Sequence, residues 1–121
     1  MFRTPRARPE IQRVLKQTRR GDRVLCYHAA PERALYAIAE VARDPYPDPH
    51  DAGSKNVVID LRAVERLPGQ VPLAEMRHNT ALRRVKFLKN LRQVISSITE
   101  AEYTELLRMA GLVAQPGIPL P

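Results

Sequence analysis

The sequence predicts an α+β fold, an antiparallel or mixed β-barrel flanked by short helices. Three observations predict it. Four segments read as strands and no long helices alternate with them, which argues against a doubly wound sheet. Residues 35–43 put Leu35, Ala37, Ala39 and Val41 on one face, and small side chains suit a tightly curved interior. Residues 99–111 carry both end signals of a single amphipathic helix. The 121 residues are one domain's worth, and 44% hydrophobic with 27% charged residues is ordinary for a globular core.

Taken in order, residues 1–9 hold Pro5, Pro9 and scattered charges and read as a basic extended arm. Pro9 suits a first helical turn, and Ile11, Val14 and Leu15 follow at helical spacing until Gly21-Asp22 ends the helix. Residues 23–28 are β-like through Val24, Leu25 and Tyr27, and residues 29–33 form a turn around Pro31. Residues 35–43 are the second strand, with Tyr36, Ile38 and Glu40 on its other face. Three prolines at 45, 47 and 49 predict an irregular loop over 44–50 that runs on through Gly53-Ser54.

Residues 56–64 alternate as a third strand, with Val57, Ile59, Leu61 and Ala63 on one face. Pro68-Gly69 predicts a turn, and residues 72–78 a short helix begun by Pro72. Residues 83–89 fit helix or loop, and residues 93–98 a fourth strand. Thr99 and Glu102 form a capping box, Tyr103, Leu106, Leu107 and Ala110 make the apolar stripe, and Gly111 closes the helix. Residues 113–121, with three prolines, are a tail.

The net charge of +7 is concentrated in two blocks. Residues 1–23 hold Arg3, Arg6, Arg8, Arg13, Lys16, Arg19, Arg20 and Arg23 against Glu10 and Asp22. Residues 77–92 hold Arg77, Arg83, Arg84, Lys86, Lys89 and Arg92 with no acid. Brought together, the blocks would form a positive field suited to phosphate backbones. A solvated surface with a basic tail is the plainer reading of the same charges. The arm spacing of Arg3, Arg6 and Arg8 matches extended arms that follow a backbone or groove.

Other chemistries find little support. No apolar run approaches the roughly 20 residues of a membrane helix. The Arg-rich start has no apolar stretch behind it, and Pro5 and Pro9 interrupt an amphipathic presequence, so the expected location is cytoplasmic. A single cysteine excludes an internal disulfide and a multi-Cys zinc site. Asp44, Asp48, His50 and Asp51 share a loop, but exposed acids in a proline loop are the ordinary reading, and no metal or cofactor is expected. Cys26 and His28 share a strand face about 6–7 Å apart, too far for thiol activation. Glycine-rich phosphate loops and GxSxG are absent, so the chain is not expected to be an enzyme. The few aromatics exclude a broad stacking platform but allow one base-sized pocket, with Tyr27 and Tyr46 as candidates. Tyr27 and Tyr36 are otherwise core residues with a hydroxyl at the edge.

Several stretches together resemble the EVE domain of the PUA-like superfamily. They are residues 21–29 (GDRVLCYHA), 37–41 (AIAEV), 46–49 (YPDP), 58–62 (VIDLR), 71–76 (VPLAEM) and 92–96 (RQVIS) before the capped helix. The family shows a GD-x-V-x-x-YHS strand, a GIAEV strand, a YPDP loop and an RLSV strand in this order. The resemblance spans residues 10–112, with residues 1–9 as arm and 113–121 as tail. It implies a PUA-like mixed β-barrel, open or incomplete, flanked by short helices, and a non-catalytic domain. It further implies a reader of modified bases, modified cytosine in DNA, with RNA as the other partner, that works by base flipping. The pocket implied is Tyr27, His28, Ala29, Tyr46, Pro47, Asp48 and Arg92. The phosphate-binding groups expected beside it are Arg3, Arg6, Arg8, Arg13, Arg83, Arg84, Lys86 and Lys89.

Two departures stand out. Ala29 replaces the family's usual Ser and removes a hydroxyl. The family also begins with a further segment bearing a first strand and a Trp loop, and residues 6–16 resemble only its end. A missing strand would leave an open barrel edge, so a homodimer through that edge, a protein-interaction or structural module, or an N-terminally truncated PUA-like domain without nucleic-acid binding is the competing expectation. A minor third is an enzyme of the related ASCH type, with Glu40 and Lys86 as the only candidate groups.

Overall fold

The computed structural model describes residues 9–51, 53–90 and 95–112. Within them the fold is α+β. The order is α1 (Pro9–Gln17), β1 (Arg23–His28), β2 (Ala34–Pro47), β3 (Val57–Pro72), α2 (Leu73–His78), a 3-10 turn (Thr80–Leu82), α3 (Lys86–Lys89) and α4 (Glu100–Met109). The three described strands form an open antiparallel sheet in the order β1-β2-β3. The expected arm, Pro9 excepted, and the expected tail lie outside the described residues.

Two apolar clusters cover the sheet. One joins Leu35, Ile38, Val71, Met76, Leu82 and Val85 to Leu106, Leu107 and Ala110 of α4 and its cap. The other joins Ile11 and Leu15 of α1 to Val41 and Ile59. Neighbouring β1 residues divide between them: Val24 packs on the second, Leu25 on the first. Successive strand side chains point to opposite faces, so the clusters lie on opposite faces of the sheet.

The local end signals behave as expected. Thr99 Oγ1 accepts the Glu102 N–H at 3.1 Å while Glu102 Oε1 accepts the Thr99 N–H at 2.8 Å. Gly111, at φ +92°, supports a Schellman closure: Gly111 N–H donates to Arg108 O at 3.0 Å and Leu112 N–H to Leu107 O at 2.8 Å. Gly21, at φ +94°, lets the chain reverse after α1, and Asp22 Oδ2 accepts the Arg19 N–H at 2.9 Å. Asp22 is thus the turn carboxylate its place after Gly21 suggests.

The long strands correct the sequence reading in four places. Residues 44–47 are strand, not loop: Tyr46 pairs with Val58 and Pro47 with Val57. β1 pairs with β2 as far as Glu40, and Val41 bonds on to Gly21 and Asp22; beyond that point β2 has, among the described residues, no strand partner on the β1 side, where a residue lacking N–H is tolerated. β3 likewise runs through Pro68-Gly69. Its pairing jumps from Ala37↔Arg66 to Leu35↔Val71, so residues 67–70 bulge out, and Gly69 N–H donates instead to Ala110 O at 2.9 Å. Strict alternation fails too. Register shifts around Leu35/Ala37 and Ile38/Ala39 bring both Leu35 and Ile38 into one cluster, while Val58 and Ile59 are both fully buried and Leu61 is 36% exposed. Finally, residues 95–98 are not strand, and Gln93 and Val94 of the expected fourth strand lie outside the described residues. Ile95 and Ile98 instead pack on opposite clusters, Ile98 with α4's layer.

Candidate nucleic-acid interface

The β1–β2 hairpin end gathers the first candidate residues. A register shift falls between Cys26 and Tyr27, so Tyr27 pairs with Leu35 and His28 with Ala34, and Tyr36 sits in the bulge. Tyr27 turns inward, against the first cluster, with its ring 6.4 Å from that of Phe87. His28 turns the other way. It is exposed, and its ring stacks on Tyr36 at 3.6 Å between centroids and 12° between planes. Ala29 follows in the exposed turn, and the Arg33 carbonyl accepts the Leu73 N–H at 2.9 Å, tying the turn to α2. Burial pushes the half-buried Cys26 thiol up, away from thiolate chemistry.

Tyr46, Pro47 and Asp48 stand at the other end of β2. The Tyr46 hydroxyl donates to Asp60 Oδ1 at 2.6 Å, and the Arg43 guanidinium lies over the Tyr46 ring at 3.9 Å. That hydrogen bond holds the Asp60 carboxyl below the ordinary carboxylate range and raises the Tyr46 hydroxyl. Asp48 is 5% exposed and organises the proline loop. Its carboxylate accepts the His50 N–H at 2.9 Å and its own N–H donates to Asn56 O at 3.0 Å. Tyr27 pairs near the start of β2 and Tyr46 near its end. The two are separated by on the order of 35 Å of strand path at ~3.3 Å per residue. The structure therefore assembles two groups of candidate pocket residues rather than one, and Arg92 lies outside the described residues.

The basic candidates also divide. Exposed Arg13 and Lys16 line a shallow groove with Pro9, Gln12 and Asn56. Exposed Arg83 and Arg84 line another with Thr80, Ala81, Thr99, Ala101 and Glu102. Lys86 and Lys89 are exposed on α3, and Lys86 Nζ approaches Ser97 Oγ at 3.4 Å. Arg3, Arg6 and Arg8 lie outside the described residues.

Two positioning residues escaped the sequence reading. Gln12 is 6% exposed, and its side-chain amide pairs with the Val57 backbone as a strand would. Nε2–H donates to Val57 O at 3.2 Å, and Oε1 accepts the Val57 N–H at 2.8 Å. Its one legible signal is its place beside Ile11 on the buried face of α1. Asn79 caps the 3-10 turn through Ala81 N–H at 2.9 Å and also donates to Glu105 of α4, holding the Arg83-Arg84 segment in place. Arg108 binds both oxygens of Glu105 at 2.7 Å, and chiefly for that reason the Glu105 carboxyl falls to about 2. Glu40, the acid of the minor enzymatic reading, is held between Arg62 and Arg23, the latter at 3.7 Å. Among the described residues, no three His, Cys, Asp or Glu side chains gather as a metal site.

The EVE domain family model matches residues 7–109. The chain belongs to the EVE domain family. Solved structures share the fold. Rpa0253 from Rhodopseudomonas palustris shares 30% identity at a TM-score of 0.86, over 95% of this chain and 79% of that one. Atu2648 from Agrobacterium tumefaciens shares 27% at 0.84, over 96% and 80%. Human THYN1, solved in complex with 5-methylcytosine-containing DNA, shares the fold at a TM-score of 0.76 with 18% identity, over 88% and 76%. No curated protein matches the chain. The fold class is thus PUA-like α+β, as the motif order implies.

Proposed function

We propose that this EVE domain is a non-catalytic nucleic-acid-binding module that reads a modified base, modified cytosine in DNA first and RNA second. The observation that carries the reading is the fold it shares with THYN1, a protein captured on 5-methylcytosine-containing DNA. The exposed basic groups support it, because Arg83, Arg84, Arg13 and Lys16 stand at the surface and carry the charge that phosphates attract. For the base itself we favour the hairpin end over the Tyr46 end. There His28 is exposed and already flat against Tyr36, whereas the Tyr46 ring is covered by Arg43 and its hydroxyl is taken by Asp60. A base flipped from a duplex costs a few kcal/mol, and stacking on such a ring returns about 1–3 kcal/mol. Arg92 would complete the pocket by its match to the family's RLSV arginine.

The test is fluorescence anisotropy with labelled duplexes, one carrying 5-methylcytosine and one plain, at two salt concentrations. A preference for the modified duplex that survives added salt, and that His28→Ala or Arg92→Ala removes, is the expected result. Equal binding that vanishes with salt would reduce the domain to a basic surface. A second reading, a protein-interaction module, is favoured by Leu61 and Val64, 36% and 37% exposed on β3, an outer strand of the described sheet. A concentration-dependent dimer without nucleic-acid affinity would select it. The single cysteine and the lack, among the described residues, of any helix long and apolar enough to cross a membrane fit a cytoplasmic setting for either reading.

A further inference from the structure

The two basic grooves face away from each other. α1 lies on one face of the sheet through Ile11 and Leu15, so exposed Arg13 and Lys16 project from that side. The segment after α2 lies on the other face through Leu82 and Val85, so exposed Arg83 and Arg84 project from the opposite side. The grooves share no lining residue. A helical layer on each face of a sheet separates the two outer surfaces by on the order of 30 Å. That exceeds what one straight duplex resting on either face can bridge.

Cations outnumber acids in the lining of both grooves. Glu10 stands in the first turn of α1, outside the lining of the first groove. Glu102 lines the second and keeps its negative charge there, held by the Thr99 N–H at 2.8 Å, so Arg83 and Arg84 leave that groove net positive by one. The 83–89 segment carries four cations and no acid. Each face therefore offers its own pair of exposed guanidinium or ammonium groups to a phosphodiester backbone.

We propose that this domain holds two nucleic-acid segments at once, one backbone on each face of the sheet, and so bridges two duplexes. The inference rests on the nucleic-acid reading above and adds a second binding surface to it. The test uses the full chain, beads carrying one short DNA duplex, and a second, fluorescent duplex in solution at low salt. Wild type retains the fluorescent duplex on the beads. By anisotropy titration wild type takes up two duplexes per chain, R13E/K16E and R83E/R84E each take up one, and each retains the second duplex on the beads at least about fivefold less, as expected when two phosphate contacts are lost from one face. Single-duplex binding without retention by wild type overturns bridging and leaves the nucleic-acid reading standing. Retention that survives either double variant also overturns it, because a dimer using one surface twice would behave so. No duplex bound under any condition overturns both.

Discussion

The two faces of the sheet are held by different means. The α4 face has a broad apolar cluster running from Leu35 to Ala110, with helix ends closed by local caps. The α1 face has the smaller cluster of Ile11, Leu15, Val41 and Ile59, and a directed polar pair, Gln12 to Val57. A large apolar contact tolerates small errors of register, because the hydrophobic effect has no direction. A short helix on a small cluster has less of that margin. Its position depends on an amide that satisfies two backbone groups at the start of β3.

Substitutions can break this contrast, starting with the largest effect. Leu106→Ala removes a side chain 1% exposed from the broad cluster and is expected to cost about 2–5 kcal/mol, measured by urea unfolding. Gln12→Ala leaves the Val57 N–H and carbonyl without their partner and is expected to cost about 1–3 kcal/mol. Faster hydrogen exchange at the Val57 amide is its specific mark. A neutral Gln12→Ala would show that apolar contact alone holds α1.

Two smaller changes sharpen the α4 side. Thr99→Ala removes half of the capping box and should cost about 1 kcal/mol in the same unfolding measurement. Glu105→Gln is expected to act through pH. The Glu105 carboxyl is lowered from 4.5 to about 2 in the folded chain, so the stabilisation it gives is complete above pH 4.5 and is lost as pH falls towards 2. The pair is at the surface, so the contribution is under about 1 kcal/mol. Stability followed from pH 6 to pH 2 should fall less steeply in the Gln variant, and an unchanged acid limb would remove Glu105 from the account.

What was legible from sequence follows how far each contact reaches. The capping box of Thr99 and Glu102, the closure at Gly111 and the turn at Gly21-Asp22 all involve partners within a few residues, and each forms as read. Pro45 and Pro47 read as loop because a proline cannot donate within a sheet. They stand in a strand because β1 stops short of them, which no local pattern reveals. Pro68-Gly69 reads as a turn and becomes a bulge because Ala110, at the end of α4, supplies the partner that β2 does not. The candidate residues were legible as two motif groups, but their placement at opposite ends of β2 was not.

By itself, the sequence determined the family, through the order of its motifs, and the ends of its best-defined helix, through interactions spanning three or four residues. Only the tertiary structure decided the bulges that set which strand residues face the core. It also decided the Gln12–Val57 pair across 45 residues of chain, and the placement of Arg13 with Lys16 and of Arg83 with Arg84 in separate grooves. The physical reason is range. Caps and turns are satisfied by near neighbours, whereas the side of a sheet on which a charge emerges depends on how distant apolar stripes pack.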